Sequence, residues 1–320
     1  MYKNECMIIA NPEGNAWNFA YSIYKKLNRR SKRYKLNELY VKQFRDGEIK
    51  IKIKESIRRK NCFFIHDSSL EPSQWLMQLI FANEAMKNSS ANEVIDVLPY
   101  LKFSRQDRKD ESRVSINAKI IANTICLYAN RVLTVDSHSS QIQGFYTIPF
   151  DNLYSSGMLV KYLKKRHASF LRDIVVMSPD AGGASRARAF ADKLGIEEIV
   201  IGSKHRPKAG EIDEYKITGN VKDKNVLIID DIVDSGNTLI RAAREARRNG
   251  AKEIYAYCTH GVFSDNAYDK VSKELDLIIV SNSIYQKTRN DKVEIIKLDD
   301  FFAEAIYRTN EGKSLSKLFE

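Results

Sequence analysis

Val226-Leu227-Ile228-Ile229-Asp230-Asp231-Ile232-Val233-Asp234-Ser235-Gly236-Asn237-Thr238-Leu239 is the stretch on which the fold turns. Its first four residues form a continuous apolar run, the pattern of a strand buried on both faces of a parallel sheet. That strand delivers two adjacent acids, and a short glycine-containing loop then opens a helix. The helical pattern runs from Thr238 to Asn249, with Leu239, Ala242, Ala243 and Ala246 on one side, and Gly250 ends it as a left-handed cap. The same beat extends outward. Val94 to Tyr100, Arg131 to Val135, Ile174 to Met177, Ile254 to Tyr257 and Leu277 to Val280 read as strands with amphipathic stretches between them. Strand, helix, strand repeated along a chain predicts a doubly wound α/β fold with parallel sheets.

With 320 residues, the chain is long enough for about two domains. Pro149 to Gly157 marks a boundary between two α/β halves. A composition of 29% charged and 43% hydrophobic residues excludes wholesale disorder. The apolar runs fall far short of the roughly 18 residues of a membrane span. Met1 to Cys6 carries an acid and no long apolar stretch, so no signal peptide is expected. Cys6, Cys62, Cys126 and Cys258 are scattered in apolar segments without metal-binding spacing, and read as reduced core thiols of a cytoplasmic protein. The net charge is +11, and residues 1–60 hold 16 Lys and Arg against 6 Asp and Glu. Nucleic-acid binding is one reading of that bias. No nucleic-acid motif accompanies it, so a solvated basic face, or one that attracts phosphorylated metabolites, is preferred.

Several strands end in chemically loaded residues: Asp136 and His138, Ser178-Pro179-Asp180, Asp230-Asp231, and Cys258-Thr259-His260. Open parallel sheets bind ligands beyond the carboxyl ends of their strands, so a shared site or one site per half is expected. The loop Asp234 to Thr238 has the strongest signal. Backbone N–H groups and a helix N-terminus cradle phosphate, and Ser235 and Thr238 add hydroxyls. Two carboxylates would repel that phosphate unless they face sugar hydroxyls or a hard cation. A ribose phosphate satisfies both conditions. Helix capping by Asp234 alone would leave the acid pair unexplained.

The stretch resembles the phosphoribosyl-diphosphate (PRPP) binding signature, shared by phosphoribosyltransferases and ribose-phosphate diphosphokinases. The other segments resemble the diphosphokinases, in family order. They are Phe44-Arg45-Asp46-Gly47-Glu48, Phe103 to Lys109, Asp136 to Phe145, Val175 to Arg188, and Lys204-His205-Arg206-Pro207-Lys208-Ala209. The resemblance runs from about Asn11 to Phe319. It implies two doubly wound domains of phosphoribosyltransferase type. Residues 1–154 would hold the nucleotide-contacting loops and the assembly surface, residues 155–311 the ribose 5-phosphate loop, and 312–320 a tail packing back on the first domain. It also implies Mg²⁺-dependent transfer of the diphosphoryl group of ATP to ribose 5-phosphate. Lys204 and Arg206 would be catalytic. Phe44, Asp46, Gly47, Glu48, Arg105 and Gln106 would bind ATP. Arg206, Asp230, Asp231, Asp234, Ser235, Gly236, Asn237 and Thr238 would bind ribose 5-phosphate, and His138 and Asp180 would hold Mg²⁺. Ser56, Arg58, Lys109, Ser112, Arg113, Asp151, Ser314 and Ser316 match an allosteric anion site, and a hexamer built from dimers is implied.

This chain has Ser137 and Ser139 around His138 where the family has Leu and Ala. It has Asn237 where Gly is common, a place where Asn tolerates left-handed backbone. A phosphoribosyltransferase would need a base-binding hood and a single α/β domain. A silent regulatory subunit would carry changed catalytic motifs, which are intact here.

Overall fold

The computed structural model describes residues 5–205, 214–287 and 291–318. The chain divides into two units. One comprises residues 1–153, 283–285 and 298–320, the other residues 154–282 and 286–297.

In the first unit the elements are β1 (Cys6–Ala10), α1 (Trp17–Arg30), β2 (Tyr34–Gln43), β3 (Ile49–Ile53), β4 (Asn61–Ile65), α2 (Pro72–Asn88), β5 (Glu93–Leu98), α3 (Asn117–Cys126), β6 (Arg131–Val135) and β7 (Phe150–Leu153). Its sheet has the order β3-β2-β1-β4-β5-β6-β7. The second unit continues with α4 (Ser156–Arg166), β8 (Ile174–Ser178), α5 (Ala184–Leu194), β9 (Ile199–His205), β10 (Glu214–Thr218) and β11 (Asn225–Val233). It closes with α6 (Asn237–Arg248), β12 (Ile254–Gly261), α7 (Ala267–Glu274), β13 (Leu277–Ser281) and β14 (Val293–Ile296). Its order, β10-β9-β8-β11-β12-β13-β14, repeats that of the first sheet strand for strand. The last helix, α8 (Asp299–Asn310), belongs to the first unit.

The sheets are mixed, where the sequence predicts parallel ones. In each, one edge pair is antiparallel: β2 with β3, and β9 with β10. The cause at β2–β3 is local. The five residues Phe44 to Glu48 close a tight turn, in which the Phe44 N–H donates to the Glu48 carbonyl at 2.7 Å. So short a connection can only return the chain antiparallel. An edge strand also tolerates one wet face, and β3 alternates half-buried isoleucine with exposed lysine.

Both faces of each sheet are covered. In the second unit Leu239, Ala242, Ala243 and Ala246 of α6 and Val271 of α7 pack on one side, with Val226, Ile228 and Ile278. Leu159 and Leu163 of α4 and Ala187 and Phe190 of α5 pack on the other, with Leu227, Ile229 and Ile279. Strands enclosed this way must be apolar throughout, which is why the central runs of the sequence are legible as strands. Gly250 is left-handed after α6, as the helix-end pattern predicts.

In the first unit, α1 carries a basic face that is answered rather than merely solvated. Lys26 pairs with Asp300 of α8 at 2.5 Å and Arg30 with Glu304; Arg33, just beyond α1, pairs with the nearly buried Glu311 at 2.7 Å. Arg30 also lies over the Tyr307 ring. All four cysteines are free thiols; Cys6, Cys62 and Cys258 are buried, while Cys126 is only half-buried. Among the described residues no helix is long and apolar enough to cross a membrane.

Candidate active site

The acid pair does not follow its strand but lies within it. β11 continues past Ile229, pairing Asp230 with Cys258, Ile232 with His260 and Val233 with Gly261 of β12. The Asp231 N–H donates to Asp230 Oδ1 at 2.9 Å. Arg186, in the first turn of α5, places Nη1 2.9 Å from Asp231 Oδ1 and 3.6 Å from Asp230 Oδ1. Burial holds the Asp230 carboxyl well above the usual carboxylate range. The Asp231 and Asp180 carboxylates push it the same way, and the Arg186 guanidinium pulls it back.

Beyond β11, Asp234 accepts a hydrogen bond from the Ser264 hydroxyl at 2.5 Å, and no side chain caps α6. Gly236 has φ +76°, and a Cβ there would lie 2.2 Å from Val271 Cγ2. Both the backbone and the close approach of α7 therefore demand glycine at this position. The left-handed residue is Gly236; Asn237 is the first helical residue, so tolerance of left-handed backbone at Asn237 is not what the loop needs. Ser235 and Thr238 are half-buried beside it, and Asn237 is exposed.

Asp180 sits in the loop after β8. Its Oδ1 accepts the Gly183 N–H at 2.8 Å, and its carbonyl accepts the Ser178 hydroxyl at 2.6 Å. Tyr215 of β10 donates to the Pro179 carbonyl at 2.7 Å, fixing the same loop. The field of Asp180 reaches both Asp230 and Tyr215, so Asp180, Arg186, Tyr215 and the acid pair form one cluster in the second unit. Lys204 is on β9, with its backbone opposite Tyr215. Arg206 lies outside the described residues, as do Lys208 and Ala209.

The first unit carries the remaining candidates. Phe44, Asp46, Gly47 and Glu48 form the tip of the β2–β3 hairpin, with Phe44 45% exposed. The Glu48 N–H donates to Asp46 Oδ1 at 3.1 Å. Arg105 and Gln106 belong to the loop between β5 and α3, where Gln106 Nε2 donates to Asp110 Oδ1 at 2.9 Å. His138 is half-buried just after β6. The Ser137 hydroxyl donates to the Ser139 carbonyl at 3.2 Å, bracketing that histidine with the two residues that depart from the family pattern. Ser56 and Arg58 line a cavity of about 300 Å³ together with Lys54 and Ser89. Lys109, Ser112 and Arg113 are in the β5–α3 loop. Asp151 is engaged with Arg131 at 2.6 Å, and Ser314 and Ser316 follow α8.

Arg186 and Tyr215 were not assigned roles from the sequence. Arg186 stands two residues into a helix that packs on β11, a position visible only once the sheet order is known. The strand order repeats between units, but the chemistry does not. β4 occupies in the first sheet the place of β11 in the second, and Asp67 beyond its end accepts the Asn15 and Ser69 N–H groups at 2.7 and 2.8 Å. The acid there braces a loop.

Two units of one topology, the second with an acid pair beside a glycine-turned loop at an uncapped helix N-terminus, define a doubly wound α/β protein with a candidate anion site in its second unit. A family model described as the N-terminal domain of ribose phosphate pyrophosphokinase matches residues 12–128. One described as the phosphoribosyl synthetase-associated domain matches residues 206–320. The chain is 41% identical to a ribose-phosphate pyrophosphokinase of Campylobacter jejuni over 89% of its own length and 91% of the relative's. It is 41% identical to that of Bacillus caldolyticus over 89% and 90%. A crystal structure of phosphoribosylpyrophosphate synthetase from Mycobacterium smegmatis superposes with a TM-score of 0.86 at 28% identity, covering 96% of this chain and 99% of that one. The chain belongs to the ribose-phosphate pyrophosphokinase family.

Proposed function

We propose that this chain transfers the β,γ-diphosphoryl group of ATP to the 1-hydroxyl of ribose 5-phosphate, giving PRPP and AMP for nucleotide biosynthesis. The carrying observation is the second-unit cluster, an acid pair with its countercharge beside an uncapped, glycine-turned loop at a helix N-terminus. The loop Asp234 to Thr238 would take the 5-phosphate on backbone N–H groups and hydroxyls. Asp230 and Asp231 would face the sugar hydroxyls. The sugar O1 attacks the β-phosphorus, the bond from that phosphorus to the α,β-bridging oxygen breaks, and AMP leaves. The proton of the 1-hydroxyl is lost to solvent or a neighbouring base.

Such transfer depends on positioning and charge neutralisation. Lys204 and Arg206 would stabilise the moving diphosphoryl group. Phe44 would stack on adenine, with Asp46, Gly47, Glu48, Arg105 and Gln106 completing the nucleotide site. Among the described residues no three His, Cys, Asp or Glu side chains converge to hold a metal unaided. Mg²⁺ keeps several waters and shares substrate phosphates, so it needs few protein ligands. A carboxylate-rich cluster that raises Asp230 also suits a hard cation. Asp180 and His138 would hold Mg²⁺, which supplies charge neutralisation on the ATP phosphates. A cytoplasmic hexamer built from dimers completes the proposal, with phosphate bound by Ser56, Arg58, Lys109, Ser112, Arg113, Asp151, Ser314 and Ser316. Incubation with ATP, ribose 5-phosphate and Mg²⁺ tests the activity: AMP should appear in step with PRPP. Absence of PRPP from a folded preparation would point instead to a silent subunit.

A further inference from the structure

The strongest unassigned feature is the cation held against the acid pair. A ribose 5-phosphate loop needs its carboxylates to meet neutral hydroxyls while its amides meet a dianion a few ångströms away. Two adjacent carboxylates on one strand, with a third in Asp180, work against that arrangement. They repel each other, and they repel the phosphate. A fixed cation beside the pair offsets both repulsions.

Arg186 occupies that place. Its Nη1 bonds Asp231 Oδ1 at 2.9 Å and lies 3.6 Å from Asp230 Oδ1. Asp231 is the more buried of the two acids, its side chain 5% exposed against 16% for Asp230. The Asp231 N–H bonds Asp230 Oδ1, so that oxygen is held by the neighbouring backbone and faces the same guanidinium. Arg186 itself is held on the first turn of α5, where the Gly183 N–H bonds Asp180. One helix start therefore positions the countercharge and orients the third carboxylate.

We propose that Arg186 is a positioning residue for ribose 5-phosphate: it anchors Asp231 in the fold and turns Asp230 toward the sugar hydroxyls without touching substrate itself. The proposal rests on the reading of Asp234 to Thr238 as the ribose 5-phosphate loop. It separates Arg186 from a merely structural ion pair, because a structural pair would affect both substrates alike, whereas a positioning residue acts on one.

The test is steady-state kinetics of wild type, Arg186→Gln and Arg186→Lys, with thermal melting of each. Wild type must first yield AMP with PRPP; if it does not, the function itself fails and Arg186 is not the cause. Given an active wild type, Arg186→Gln should raise KM for ribose 5-phosphate about tenfold or more, the scale of one charge-assisted hydrogen bond, and leave KM for ATP within about twofold. Arg186→Lys keeps a cation but not the planar fork, so it should restore only part of the loss and leave a smaller rise confined to KM for ribose 5-phosphate. Unchanged KM for ribose 5-phosphate in folded Arg186→Gln would overturn the proposal. So would equal increases for both substrates. If Arg186→Gln does not fold, Arg186→Lys alone decides: a selective rise in KM for ribose 5-phosphate supports the proposal, and no selective change overturns it.

Discussion

Asp230, half-buried, and Asp96, fully buried, are both carboxyls on central strands with different neighbours. Asp230 has Arg186 beside it, and the loop before α6 follows its strand. Asp96, on β5, has Asn83 of α2, whose Nδ2 donates to Asp96 Oδ2 at 2.8 Å. Among the described residues Asp96 Oδ1 and Asn83 Oδ1 have no hydrogen-bond partner. Burial raises the Asp96 carboxyl from 3.8 to about 7. Its contribution to stability is therefore whole below 3.8 and lost as pH rises through about 7. His66 works in the opposite direction. Buried against Trp75, it is lowered from 6.5 to about 4, so its contribution is present above 6.5 and lost as pH falls through about 4. Asp96→Asn replaces the carboxyl with a permanently neutral group whose amide can meet Asn83 Oδ1. The variant should lose the decline in stability between about pH 4 and 7, and at pH 8 it should exceed wild type by up to the order of 4 kcal/mol. Denaturant melts across that range check this; parallel pH profiles for the two proteins would contradict it.

At the scale of elements, what the sequence made legible follows from enclosure. Strands buried on both faces must be apolar throughout, and β6, β8, β12 and β13 begin at the residues their apolar runs predict. The antiparallel edge pairs were not read as strands, because one wet face dilutes the apolar signal to the alternation seen in Ile49 to Ile53; β1 and β4 were not read either, although both are apolar and enclosed. The acid pair was legible as chemistry, but its place inside β11 was not. Pairing with β12 extends the strand past the apolar run, and only the partner strand reveals that. Asp234 to Thr238 was legible as a loop entering a helix, yet the left-handed position at Gly236 depends on how closely α7 approaches. Assignments tied to one local motif can be made from sequence, whereas the place of Arg186 and Tyr215 needed the sheet order. Lys204 was assigned in the first way and lies on β9, beside the edge strand β10. Lys204→Ala should lower kcat by about 10²-fold or more, on the scale of losing one preorganised charge, while leaving thermal stability within about 1 kcal/mol. Near-normal kcat in the folded variant would remove Lys204 from the transfer step.

At the scale of the whole chain, two units share one strand order but carry different candidate groups. The first carries the exposed Phe44 hairpin and the Arg105 loop, together with the Ser56 and Arg58 cavity; the second carries the acid pair and the Gly236 loop. An exposed aromatic at a hairpin tip is poorly explained by packing within its own unit, and assembly would give it a neighbour. Light scattering under assay conditions should give a hexamer, and inorganic phosphate should raise activity. Arg58→Ala should blunt that activation without altering the catalytic residues. A fully active monomer, or activity indifferent to millimolar phosphate, would contradict this part of the account. The central claim is that the bond broken in ATP lies between the α- and β-phosphates. ATP labelled with ³²P in its β-phosphate tests it in one reaction with ribose 5-phosphate and Mg²⁺. The label should pass wholly into PRPP, leaving unlabelled AMP; label recovered in ADP, with the sugar product unlabelled, would mean that only the γ-phosphoryl group moves and would contradict the assignment.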